Sequence, residues 1–306
     1  MDTAITYIHD RPASLLSQFI QIVLPLTGMK RVIERSMAKR NFSQKPGFIP
    51  KSLKTEFELN VTEKNGRRIW TFTPGNNRSE KTILYLHGGA YIFNMTYLHW
   101  NLIEDLLKKT NATLVVPDYP LAPDANFRHA YDFLTGIYNI LLETSSPNNI
   151  VLMGDSSGGG LALGFVQRLR NENKAQPSQI ILLSPWLDIT MSNPDLPGID
   201  SKDKVLGIKG LQLAGQAYAD DVDPKDYRVS PIYGDPGGLG EISLFTGTHD
   251  LLLADARKFK SLMDKANISF NYYEYPGMFH DWVIVTSMKE SRHATDQIAG
   301  LVNHQR

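Results

Sequence analysis

The feature that most constrains this chain is a rhythm of short apolar runs, each long enough for one strand, separated by segments with helical spacing. The runs "KTILYLH", "ATLVVPDY", "NIVLMG", "QIILLS", "ISLFTGTHD" and "ISFNYYEYP" lack the in–out alternation of a half-solvated strand. Continuous apolar character of this kind suits strands covered on both faces. Helical spacing between and after them predicts helices over 98–109, 124–142, 157–171, 253–265 and 288–302. Strands joined through helices run parallel, so the fold class is α/β around a mostly parallel sheet. Two earlier runs differ: "TEFELNVTE" and "RRIWTFT" flank "KNG", which predicts an antiparallel hairpin over an Asn-Gly turn. The total expected is about eight strands. The rhythm breaks over 185–240, where proline- and aspartate-rich turns surround one expected helix, 209–219.

Composition narrows the function. With 306 residues, 42% of them hydrophobic, the chain is long enough for one large α/β domain with a substantial core. Thirty-two basic side chains balance thirty-two acidic ones, so net charge gives no reason to expect nucleic acid or an anionic membrane as partner. The absence of cysteine excludes disulfides, thiolate metal sites and a cysteine nucleophile. It also suits the cytoplasm, as does a start without the basic, apolar and small-residue pattern of a secretory signal. The apolar stretch "ASLLSQFIQIVLPL" (13–26) is too short to span a bilayer, so stable membrane insertion is not expected. Leu15, Leu16, Phe19, Ile20 and Val23 share one helical face, which predicts an amphipathic helix packed on the protein's own body. Contact with a membrane surface or a partner is the alternative.

The chemistry is sought at the carboxyl ends of the strands, where open α/β sheets bind ligands. His87-Gly88-Gly89-Ala90 follows the first parallel run, and Gly154-Asp155-Ser156-Ser157-Gly158 follows "NIVLM". His249 and Asp250 follow "ISLFTGT", and His280 comes soon after "ISFNYYEYP". A serine, an acid and a histidine thus converge on one edge, in the chain order of a nucleophile-elbow hydrolase. The G-x-S-x-G spacing serves such a turn because side chains at its glycines would strike neighbouring backbone. A phosphate-binding reading fails, since Gly-Lys-Ser/Thr and G-x-G-x-x-G are both absent.

With "HGGA", "DYPLAPDANF" and "GDSSGG", the chain resembles the hormone-sensitive-lipase-like esterases of the α/β-hydrolase superfamily, the bacterial type IV or HGG group. The likeness extends over about 81–280. It implies an eight-stranded sheet with an antiparallel second strand, and a helical cap formed by 1–50 and an insertion at about 185–240 on a catalytic domain of 51–306. Carried over by position, it implies Ser156 as nucleophile, Asp250 as triad acid and His280 as base. The oxyanion hole would comprise Gly89, Ala90 and Ser157 through their N–H groups, with Gly88 keeping the turn tight. Two positions depart from the common pattern: Ala90 stands where many members have a third glycine, and Ser157 where alanine is commoner.

Rival assignments remain at this stage. Ser157 as attacker would lose the leading glycine of the motif, and Ser156 as a helix cap alone is the other rival. Asp255 is the second-choice acid, Asp281 is expected to point away from its neighbour His280, and His249 reads as a turn residue. His87, Asp118 and Tyr119 read as organisers of their loops. The expected activity is hydrolysis of short- to medium-chain acyl esters of small molecules, without metal or organic cofactor. An amidase or peptidase, or an inactive small-ligand binder, are the alternatives. A homodimer is compatible with the sequence, though no residue specifies one.

Overall fold

The computed structural model describes residues 4–75 and 78–304. Its strands are β1 (Thr6–Ile8), β2 (Glu58–Lys64), β3 (Arg67–Thr73), β4 (Thr82–Leu86), β5 (Thr113–Pro117), β6 (Ile150–Asp155), β7 (Gln179–Leu183), β8 (Glu241–His249) and β9 (Phe270–Phe279). Its α-helices are α1 (Leu15–Val23), α2 (Val32–Lys39), α3 (Lys51–Glu56), α4 (Tyr97–Thr110), α5 (Phe127–Thr144), α6 (Ser156–Asn171), α7 (Leu196–Asp200), α8 (Ile208–Ala219), α9 (Leu253–Lys265) and α10 (Lys289–Asn303).

One sheet holds all nine described strands, in the order β1-β9-β8-β7-β6-β4-β5-β3-β2. Only β3 runs against its neighbours, pairing antiparallel with both β2 and β5. The α/β-hydrolase architecture and its antiparallel second strand are therefore as expected, but the count of eight is one too low. The extra strand is β1, which pairs parallel to β9 with Thr6 opposite Tyr272. Three half-exposed residues are too few to carry a periodic signal, so nothing in the sequence marks it. The first expected strand also starts late, because residues 51–56 form α3 before β2 begins at Glu58.

Every residue of β4, β5, β6 and β7 is buried. Side chains alternate across the sheet with period two, so neighbours in a run belong to different cores. Leu84, Leu86, Leu152, Ile180 and Leu182 join one core with α5 and α6. Ile83, Tyr85, Val151, Met153, Ile181 and Leu183 join the other with α4 and α10. This double coverage is why the runs read as solid apolar blocks.

The two irregular regions meet. Helix α2 packs on α8, and a Cβ at Gly210 would stand 3.1 Å from Ile33 Cβ, so the glycine allows the close crossing. Helix α1 differs from expectation. It packs on the body through a polar face: Ser17 is its one buried residue and donates to Glu290 Oε1 at 2.9 Å, while Ser14 donates to the same carboxylate. Ile20 and Leu24 turn inward, but Leu15, Leu16, Phe19 and Val23 of the apolar face remain exposed. The Ser14–Ser17–Glu290 clasp fixes this rotation of the helix, because Glu290 lies buried on α10 and needs those donors.

Between β8 and β9, the strands that lead to Asp250 and His280, the rings of Phe245 and Tyr273 stack at 4.2 Å. Phe245→Ala is expected to lower unfolding free energy by about 3–5 kcal/mol, measured by urea denaturation.

Candidate active site

Ser156 stands at the junction of β6 and α6 with φ of 49°, the left-handed backbone of a sharp strand-to-helix bend. Two glycines permit that bend. A Cβ at Gly154 would collide with the Gly158 carbonyl, and one at Gly158 would collide with the carbonyls of Leu86 and His87. The motif glycines are therefore required by backbone meeting backbone, which no rotamer change relieves.

The bend aims Ser156 Oγ at His280 Nε2, 2.9 Å away. His280 Nδ1 lies 3.1 Å from both carboxylate oxygens of Asp250, which is fully buried just past β8. The three residues singled out from strand ends thus form one hydrogen-bonded chain. Asp250 is held in turn: its Oδ1 accepts from Leu252 N–H at 2.9 Å. Beside it, Asp203 accepts the N–H groups of Val205, Leu206 and Leu251. Burial and the nearby Asp250 push the Asp203 carboxyl up to about 6. The rival acid Asp255 sits on α9 and takes a hydrogen bond from Asn193, away from the histidine.

Asp281 does not point away. Its backbone is left-handed, φ 55°, and its Oδ2 comes within 3.1 Å of His280 Nε2. The expectation fails because it assumed ordinary extended or helical backbone after the strand. Carboxylates therefore flank His280 at both ring nitrogens. Burial alone would lower the basicity of the ring, but Asp281 and Asp250 overcome it and hold the imidazole well above its ordinary range. Burial raises the Asp281 carboxyl to about 6, against the opposing pull of His280.

The His-Gly-Gly turn faces the elbow with three successive positive φ values, at Gly89 (123°), Ala90 (54°) and Tyr91 (62°). The N–H groups of Gly89 and Ala90 have no acceptor among the described residues. Ser157 N–H is one of the unshared donors in the first turn of α6. Gly88 differs: its N–H is engaged by Asp155 Oδ2 at 2.9 Å, so it shapes the turn and offers no donor. Ala90 occupies a left-handed backbone position, which explains why glycine suits that site so well.

Several supporting residues escape a motif search. Asp155, inside G-D-S-S-G, is fully buried and also contacts the Tyr85 hydroxyl and His99 Nε2. His99 Nδ1 accepts from Thr96 N–H, so Nε2 carries the proton that it offers to Asp155. Ser157 Oγ accepts from Tyr91 N–H at 3.2 Å and so ties the turn to the elbow. His87 stacks on Tyr119, whose hydroxyl donates to the His87 carbonyl at 2.6 Å; burial pushes the imidazole down to about 4, leaving it neutral. Asp118 receives Asn94 and Arg67. These loop residues are organisers, as their positions suggest. Among the large aromatic side chains, Phe279 lines the cavity, while Trp100, Trp186 and Tyr218 are buried in the core.

Ser156 and His280 open on a cavity of about 720 Å3. Its walls come from both irregular regions, with Ile20, Leu24 and Ile33 on one side and Val205 and Leu206 on another. Phe279 and Ile284 add apolar surface beside the histidine.

This fold and edge geometry agree with the relatives found by comparison. A profile of the family described as alpha/beta hydrolase fold matches residues 83–284. An esterase of Acinetobacter venetianus is 33% identical over 220 residues, covering 71% of this chain and 73% of that one. An acetyl-hydrolase of Streptomyces hygroscopicus is 30% identical over 203 residues, covering 66% of this chain and 68% of that one. The crystal structure of the hormone-sensitive-lipase homologue EstE7 superposes with a TM-score of 0.80 at 25% identity, covering 94% of this chain and 97% of the other. An esterase of the bacterial hormone-sensitive lipase family shares the fold, with a TM-score of 0.81 at 21% identity and coverage of 96% and 99%. The chain belongs to the α/β-hydrolase fold family. Within that family, its relatives include esterases and an acetyl-hydrolase.

Ser157→Ala would leave the buried Tyr91 N–H without its acceptor. The variant is expected to lose about 1–3 kcal/mol of stability, read from the shift in its urea midpoint at constant m.

Proposed function

We propose that the protein is a serine carboxylesterase that hydrolyses short- to medium-chain acyl esters through a covalent acyl-enzyme. The observation that carries this reading is the unbroken chain Ser156 Oγ, His280 Nε2, His280 Nδ1, Asp250, at 2.9 and 3.1 Å, at the floor of an apolar cavity. In the reaction, His280 takes the Ser156 proton as Oγ attacks the ester carbonyl. Asp250 fixes the tautomer with Nδ1–H and stabilises the imidazolium. The N–H groups of Gly89, Ala90 and Ser157 receive the oxyanion, each such donor being worth about 3 kcal/mol in comparable sites. The imidazolium then protonates the departing alcohol, and a water activated by the same base releases the acid.

The N-terminal segment and the 185–240 stretch act here as a cap. Both supply walls of the cavity, and their apolar side chains suit an acyl chain better than a peptide backbone with its polar groups. The names of the relatives, esterase and acetyl-hydrolase, favour esters over amides.

Hydrolysis of p-nitrophenyl esters from acetate to palmitate tests the reading. Wild type should prefer the shorter chains, and Ser156→Ala should lose about 10⁴-fold or more in kcat. Undiminished turnover in that variant would sink the proposal.

A pH profile tests the second carboxylate. His280 acts as a base only when Nε2 is unprotonated, and the flanking anions favour its protonated form. Activity should therefore fall as pH drops through a midpoint above that of an ordinary histidine. Asp281→Asn removes one anion, so the acid limb of kcat/KM should move to lower pH. An unmoved limb would show that Asp281 does not charge the ring.

A further inference from the structure

Helix α1 is turned inside out for a helix on a globular body. Its inner side carries Ser17, bonded to Glu290, and Gln21, bonded to His249. Its outer side and the 3-10 turn that follows it, Leu24–Thr27, carry a stripe of apolar side chains: Leu15 is 83% exposed, Phe19 62%, Ile22 71% and Leu26 83%. A row of large apolar side chains held out of contact with its own protein marks a surface made to be covered. The inner neighbours of the stripe, Ile20 and Leu24, line the catalytic cavity, so the stripe runs along the cavity's outer wall. Other parts of the rim are apolar too. Phe48, 95% exposed, follows the lining residue Gly47, and Leu98, itself a lining residue, is 38% exposed.

Charge indicates what covers this surface. The net charge of the chain is zero, but its distribution is lopsided: residues 15–54 hold eight lysines and arginines against a single carboxylate, Glu34. Glu34 is already engaged by Lys209, and Lys30 by Asp200. Arg31, Arg35, Lys39 and Arg40 are exposed and make no ion pair among the described residues. Arg35 reaches back over Gly28, beside the Leu26 end of the stripe; a Cβ there would lie 3.3 Å from its Nη1. A second copy of the chain is a poor occupant, because a two-fold interface through this face would set the two basic segments against each other. An anionic lipid surface accepts both the stripe and the cations.

We propose that α1 and the basic segment following it dock the protein on anionic lipid bilayers, lying in the headgroup region without spanning it, with the cavity mouth turned toward the lipid. No described helix is long and apolar enough to cross a membrane, which agrees with docking at the surface. The docking stands independently of the ester-hydrolase reading. If both hold, esters partitioned into the lipid layer reach Ser156 without crossing bulk water.

The test is co-sedimentation of the full chain with vesicles of phosphatidylcholine alone and of phosphatidylcholine with phosphatidylglycerol. Binding to the mixed vesicles should exceed binding to the neutral ones by at least tenfold at low salt, and should weaken in 0.5 M NaCl. Leu15→Ser/Phe19→Ser/Ile22→Ser should lose at least tenfold of that binding. Arg31→Glu/Arg35→Glu/Lys39→Glu should abolish the preference for phosphatidylglycerol. Neither set touches Ser156, His280 or the oxyanion donors, so circular dichroism, thermal midpoint and any turnover of a water-soluble ester should match wild type. No vesicle binding, equal binding to neutral vesicles, or undiminished binding by the triple-serine variant would each overturn the proposal. So would a dimer in solution that the triple-serine variant converts to monomer.

Discussion

The site depends on one close approach: the first turn of α6 lies against the end of β4 with no space between their backbones. Gly158 meets the carbonyls of Leu86 and His87, and Gly154 meets Gly158 itself. Because these are main-chain contacts in a buried sheet, they set the height of Ser156 above the strand ends and its separation from the His-Gly-Gly turn. The Ser157 hydroxyl and the Asp155 carboxylate then pin that turn from the elbow side, at Tyr91 and Gly88. The elbow therefore supplies the reactive serine and also the groups that hold the opposite half of the site.

Electrostatics around His280 are less symmetrical than a triad diagram implies. Asp250 faces Nδ1 with both oxygens and is held by the Leu252 N–H, whereas Asp281 meets the nitrogen that must exchange protons. One carboxylate orients the ring, and the other competes with the serine for it. Asp281 Oδ1 has no hydrogen-bond partner among the described residues, so its position is set by the left-handed backbone and the attraction of the ring rather than by a network of its own.

The sheet was legible because strands covered on both faces leave uninterrupted apolar runs, and the helices between them keep their period. The expected helix over 253–265 coincides with α9, and those over 98–109 and 157–171 fall within one residue of α4 and α6 at each end. The triad candidates were legible because the elbow needs glycines at fixed spacing and the chain order of the other two residues follows the topology. Features that rest on three-dimensional neighbours were not. Strand β1 exists only because β9 offers it an edge, and Asp281 faces the histidine only because of a backbone angle that sequence does not display. How Gly88 keeps its turn tight is also a matter of neighbours, since Asp155 takes its N–H. The sequence marks helix α1 as amphipathic but does not display its rotation, since an apolar face normally turns inward and a buried glutamate on a distant helix decides otherwise. A whole-chain charge of zero also leaves out how charge is distributed, with a strongly basic segment over 15–54.

The attachments of the N-terminal arm have a mechanical meaning. Through β1 it shares hydrogen bonds with β9, the strand that leads to His280. Through Gln21 it holds His249, the neighbour of Asp250, and through Ser14 and Ser17 it holds α10. The outer wall of the cavity is thus strapped to the two chain segments that carry the acid and the base, and not to the elbow that carries the serine. The arm that walls the cavity thus touches the acid and base side of the hydrogen-bonded chain, and the Ser156–His280 contact is where that side meets the elbow.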